Sequence, residues 1–125
     1  MIFDTDILIW IQRRNEKASH VVDQSIDRYI SIVTYMELLQ AATSKRQHEC
    51  VLDFLKEFGF QILPLTESIG HRAAVYIEEY SLAYGIGAVD AIIAATAIEH
   101  HLPLCSGNAK HFKAIEGLKL KVFRP

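Results

Sequence analysis

The sequence predicts an α/β fold: a three-layer sandwich with a central, mainly parallel five-stranded sheet and helices on both faces. Three observations lead there. Short β-branched or aliphatic runs, among them "RYISIV", "QILPL" and "KLKVF", alternate with helical patterns along the whole chain, as βαβ units require. The segment "VDAIIAATAIEH" is apolar on nearly every side, so it reads as a helix buried between layers. Finally, 125 residues of which 50% are hydrophobic can build one proper core, and a single domain over 1–125 is expected.

Taken in order, residues 1–4 predict a first short strand. A helix over 5–14 follows, in which Ile7, Leu8, Trp10 and Ile11 leave a polar end at Gln12, Arg13 and Arg14. A second short helix is expected near 18–25. The run 28–33 is β-branched and aromatic and predicts the second strand, with a helix opening at Thr34. Residues 45–58 set Val51, Leu55 and Phe58 on one side of a helix, and Gly59 is a natural stop. "QILPL" over 61–65 is the third strand. From 66 to 84 the residues Ile69, Ala73, Ile77, Tyr80 and Tyr84 recur at helical spacing, and Gly85 ends that helix. The apolar helix beginning at Val89 and the strands "PLCS" and "KLKVF" complete the chain.

Thirteen Lys and Arg against 15 Asp and Glu give a formal charge of -2, which excludes a protein that binds nucleic acid by bulk charge alone. Any such partner must be held locally. Lys110, Lys113, Lys119, Lys121 and Arg124 face only Glu116 in the C-terminal stretch; they offer either such a place or a lysine-protected sheet edge. Cys50 and Cys105 have no metal-type spacing and read as buried free thiols. With no signal peptide and no apolar run long enough to span a bilayer, a reducing, cytoplasmic setting is expected.

Parallel sheets bind ligands beyond the carboxyl ends of their strands, and "FDTDIL" places Asp4 at such an end. Asp4 and Asp6 could each cap the helix that follows. Glu37 stands three residues after Thr34, so T-x-x-E reads as a capping box; it also lies in the first turn after a second parallel strand. Asp90 is the only charge between Gly85 and Ile98, and a carboxylate in such surroundings must find partners, shift its pKa or bind a metal. It would also suit a helix N-terminus. If Asp4, Glu37 and Asp90 converge on one sheet edge, they repel unless cations neutralise them. Oxygen ligands of this kind suit Mg²⁺ or Mn²⁺. Zinc is disfavoured, because the six histidines show no H-x-x-x-H pattern. Carboxylate-bound magnesium usually works on phosphates, often as a pair of ions about 4 Å apart.

Four segments in order, "FDTDILIW", "ISIVTYMELLQAA", "VDAIIAATAIEHHLPLCSGNAKHF" and "IEGLKLKVF", resemble the PIN-domain ribonucleases, and among them the VapC-type toxins of toxin–antitoxin pairs. The resemblance runs nearly the whole length. It implies a PIN-like sandwich in which Asp4, Glu37 and Asp90 are the catalytic acids that hold Mg²⁺ or Mn²⁺, with Ser106 and Asn108 lining the same site. Family members often carry a fourth acid where this chain has Asn108, which bears on a second ion; Asp6, where Ser or Asn is more usual, could compensate by orienting Asp4 or a bound water. The implied chemistry is hydrolysis of RNA to a 5′ phosphate and a 3′ hydroxyl, with Lys110 and His111 placed to approach the RNA backbone. The implied partners are RNA, a second copy in a homodimer, and a VapB-like antitoxin laid across the acidic cleft. Apolar residues of the early helices such as Trp10 would suit that groove or the core equally.

Three rivals stand beside this reading. A PIN-like domain that binds RNA or a partner without cutting is suggested by Asn108. A phosphatase of the haloacid-dehalogenase type also opens on D-x-D, but it needs a later paired-acid motif, and "GAVDAIIAAT" supplies one acid. A receiver-type signalling module needs an Asp after the third strand, where Pro64 to Glu67 has none.

Overall fold

A computed structural model describes all residues, 1–125. Strand β1 (Ile2–Phe3) leads through α1 (Thr5–Gln12) and α2 (Glu16–Asp23) to β2 (Tyr29–Ser31). Helices α3 (Ile32–Ala41) and α4 (Lys45–Glu57) precede β3 (Gln61–Leu63), and α5 (Glu67–Tyr84) and α6 (Ala88–Glu99) precede β4 (Leu104–Ser106). The short α7 (Ala109–Phe112) and the strand β5 (Leu120–Val122) close the chain. The five strands run parallel in the order β3-β2-β1-β4-β5, so the mainly parallel sheet expected from sequence is wholly parallel.

Two apolar clusters flank this sheet, and the strands themselves divide them. Neighbouring side chains on a strand point to opposite faces. Ile2 and Leu104 accordingly join the cluster of α5, α6 and Phe112, whereas Phe3 and Cys105 join that of α1, α2 and α4. The registers Ile2↔Leu104 and Phe3↔Cys105 make the same division on both strands. Helix α6 buries Ala91, Ile93, Ala94, Ala95, Thr96 and Ala97; the one hydroxyl among them donates to the Ile92 carbonyl at 2.7 Å, so no polar group is stranded.

Several element ends differ from the sequence reading. Helix α3 starts at Ile32 on the cap of Ser31, whose Oγ accepts the Val33 N–H; Thr34 lies inside the helix, and the predicted capping box with Glu37 does not form. Asn15 caps α2 by accepting the Ala18 N–H, so that helix begins earlier than predicted. The cap of α1 is Asp4 rather than Asp6. The first helix stops at Gln12 because Arg14 turns into the left-handed region, φ 62°. Cys105 is buried as expected, but Cys50 is exposed: on α4 the buried face is Val51 and Leu55, and Cys50 falls beside it. Trp10 is half-buried and packs on the α1, α2 and α4 cluster, with the Arg13 guanidinium 5.8 Å from its ring centre. No helix is long and apolar enough to cross a membrane.

Candidate metal centre

The chain leaves β1 to one side to form β2 and β3, and returns to the other side for β4 and β5. A crevice opens at the carboxyl end of β1, where this reversal occurs. Its cavity, about 390 Å³, is lined by Asp4, Thr5, Asp6, Glu37, Asp90 and Asn108 among others. The acids come from the end of β1, the first turn of α1, the middle of α3 and the first turn of α6. Five of the sequence-predicted site residues therefore meet at one cavity.

Each carboxylate has its own donor. Asp4, only 4% exposed, accepts the Thr5 N–H at 2.8 Å through Oδ1 and the Ser106 hydroxyl at 2.7 Å through Oδ2. Ser106 in turn accepts the Asn108 N–H at 2.9 Å, which ties the residue after β4 to the acid after β1. Glu37 Oε1 accepts the Thr5 hydroxyl. That hydroxyl is also 3.0 Å from the buried Thr34 hydroxyl; with one proton to give, and a carboxylate that only accepts, Thr5 donates to Glu37 and receives from Thr34. Asp6 Oδ2 accepts the Gly107 N–H at 2.9 Å, and its Oδ1 is buried with no partner. Asp90 Oδ2 lies 2.8 Å from His111 Nδ1.

Burial, reinforced by the charges of Asp6 and Asp90, pushes the Asp4 carboxyl up to about 7 against the pull of its Ser106 and Thr5 bonds. Asp6 is raised as well, by burial first, although the Gly107 and Ile7 amides hold it back. Buried acids that disfavour their own charge, and a buried carboxylate oxygen with no partner, fit a divalent cation held by oxygen ligands. No three acid, histidine or cysteine side chains form a ready-made coordination sphere. Each carboxylate is held by protein donors instead, and a cation would have to draw them together.

Asn108 lines the cavity, whereas Ser106 does not line it and is buried behind Asp4. Lys110 is exposed and does not line it. His111, which the resemblance places to approach the RNA backbone, is bonded to Asp90. Thr5 and Gly107 are site residues that the sequence reading does not name, and Thr34 is named there only as a helix cap. The signal for Gly107 is its place between Ser106 and Asn108: a Cβ there would stand 2.7 Å from Asp6 Oδ2, so the close approach of Asp6 requires glycine. A separate groove of about 400 Å³ between α1, α3 and α4, lined by Leu38, Val51, Phe54 and Cys50 among others, is mostly apolar and carries no acid; the chemistry belongs to the acid cavity.

The PIN domain family model matches residues 1–118. The chain is 32% identical over 130 residues to a protein named Ribonuclease VapC1 from Rickettsia felis, covering 96% of this chain and 93% of that one. It is 29% identical to Ribonuclease VapC1 from Methanocaldococcus jannaschii, covering 98% and 86%. Among solved structures it is similar to a toxin-antitoxin complex from Klebsiella pneumoniae, with a TM-score of 0.79 and 30% identity over 94% of this chain and 93% of that chain.

Proposed function

The chain belongs to the PIN-domain family, and from that premise we propose that it is a metal-dependent endoribonuclease, the toxin of a VapBC-like type II toxin–antitoxin pair. The relatives named as VapC ribonucleases support the activity, and the solved toxin-antitoxin relative supports the partner. The observation that carries the reading is the meeting of Asp4, Glu37 and Asp90, three acids far apart in sequence, at one cavity beyond β1.

In this reading residues 1–125 are one PIN domain, and Asp4, Glu37 and Asp90 hold Mg²⁺ or Mn²⁺. When bound, such a cation supplies Lewis-acid stabilisation of the charge that builds on the phosphoryl oxygens. The chain's own groups do the rest. Ser106 and the Thr5 amide fix both oxygens of Asp4, and the Thr34 to Thr5 relay fixes Glu37. Asp6 adds negative charge beside Asp4, where Asn108 adds none. A water attacks phosphorus, its proton passing to a carboxylate of the cavity, and the P–O3′ bond breaks, the departing O3′ taking a proton from solvent, to leave a 5′ phosphate and a 3′ hydroxyl. Lys110 stands outside the cavity, where a phosphate of the RNA backbone could meet it.

The antitoxin segment would lie across the cleft and into the apolar groove between α1, α3 and α4. A homodimer and a cytoplasmic location complete the proposal. Asn108, in a place where an acid would add a ligand, favours one alternative, a PIN-like domain that binds RNA without cutting it.

Purified protein incubated with a pool of structured RNAs, with Mg²⁺, with Mn²⁺ and with chelator, separates these. Cleavage that needs the metal and disappears in Asp90→Asn supports the nuclease. RNA retention without cleavage under every metal supports the binder, and cleavage that survives Asp90→Asn removes the acid cavity from the mechanism.

A further inference from the structure

We propose that His111 is a positioning residue for Asp90: its Nδ1–H holds Asp90 Oδ2, so that the carboxylate turns its other oxygen toward the divalent cation. The inference rests on the metal reading of the acid cavity and adds to it a residue from another element.

The two side chains are 21 residues apart in sequence and 2.8 Å apart in space. An ionised carboxylate only accepts, so Nδ1 carries the proton and the ring is held in one orientation. Every other acid of the cavity is fixed by a different donor: Asp4 by Thr5 and Ser106, Glu37 by Thr5, Asp6 by Gly107. For Asp90 the side-chain donor is His111. Gly87, at the head of α6, offers no side chain to cap the turn that carries Asp90. The terminal torsion of an Asp side chain is broad, and the nearby charges of Asp4 and Asp6 would otherwise turn this carboxylate away.

The ring is not a loose surface group. The next residue, Phe112, is fully buried in the α5 and α6 cluster, and the His111 N–H closes a turn on the Asn108 carbonyl at 3.0 Å. The placement of His111 is therefore inherited from the core. Its side chain is 34% exposed and that of Asp90 21%, so the bond sits at the cavity wall, partly shielded from water.

The test is calorimetric titration of Mn²⁺ into the wild type, His111→Ala, His111→Asn and Asp90→Asn at one pH, with thermal unfolding of each metal-free protein alongside. His111→Ala is expected to weaken Mn²⁺ binding by about 10-fold to 100-fold, as loss of a group that orients a metal ligand does. His111→Asn keeps an N–H donor near the position of Nδ1 and is expected to recover most of that loss. If His111→Ala binds within about 2-fold of the wild type while Asp90→Asn does not bind, the positioning role is overturned and the metal site stands. If His111→Asn binds as poorly as His111→Ala, the hydrogen bond is not what matters and the inference is equally overturned. A wild type that takes up no Mn²⁺ removes the metal reading, and the inference with it.

Discussion

Burial and the charges of Asp6 and Asp90 raise the Asp4 carboxyl from 3.8 to about 7. Between those values the folded chain keeps a proton that the unfolded chain has released, so unfolding is favoured progressively as pH rises. Metal-free protein should therefore lose stability from about pH 4 to just above pH 7, by on the order of a few kcal/mol from this group. Thermal unfolding in chelator across that range checks it: the wild type should melt lower at pH 8 than at pH 5, and Asp4→Asn should show a smaller drop. Equal slopes for the two proteins would remove Asp4 as the source. Gly107 is the second residue with a definite expectation. Gly107→Ala would set a methyl 2.7 Å from Asp6 Oδ2, displacing Asp6 from the Gly107 N–H and costing about 0.5–1.5 kcal/mol, the net worth of that bond. Chemical denaturation measures the loss, and Gly107→Ala with unchanged stability would mean that Asp6 is not held as described.

Helix α7 is four residues long, too short to show a period, and it was not legible in the sequence. Yet it carries His111 and is anchored by Phe112. Phe112→Ala should destabilise the chain by about 3–5 kcal/mol, as for a fully buried Phe, and should also weaken Mn²⁺ binding by loosening His111. Urea melts and Mn²⁺ titration at a temperature where the variant stays folded test both halves. The start of α3 was misplaced for a different reason. Ile30, Ile32 and Val33 are β-branched and favour a strand, and T-x-x-E favours a cap at Thr34. Ser31 supplies the cap instead, which frees Thr34 to reach Thr5 from inside the helix. Tertiary contact overrode a local pattern there. Asp4 and Asp90 were legible because each breaks an apolar stretch just after a strand or at a helix start, whereas Glu37 stood out through its T-x-x-E spacing and lies mid-helix. His111 was visible only as a polar residue near the site, since its partner lies on another helix.

At the scale of the whole molecule, β1 is the centre of the sheet, and its end is where strands added to either side diverge. That topology brings acids from the end of β1, from α3 and from α6 to one crevice; the alternation of strands and helices predicted a mainly parallel sheet, but not the strand order that places the crevice. If the acid cavity holds a cation as proposed, its concentration of negative charge, in a chain whose formal charge is only -2, would make that binding a stability term for the entire fold. At about 100 times its Kd, Mn²⁺ should add about 2.7 kcal/mol, which for a chain of this size is a rise in Tm of roughly 10 °C. Asp4→Asn should lose most of that rise, read by the same unfolding scan with and without metal.

The most direct measurement is anomalous diffraction from crystals grown with Mn²⁺. A peak bridging the carboxylates of Asp4, Glu37 and Asp90, with ligand distances of about 2.0–2.3 Å, is the predicted result. Manganese located elsewhere on the chain, with those three acids still bonded only to Thr5, Ser106 and His111, would contradict it.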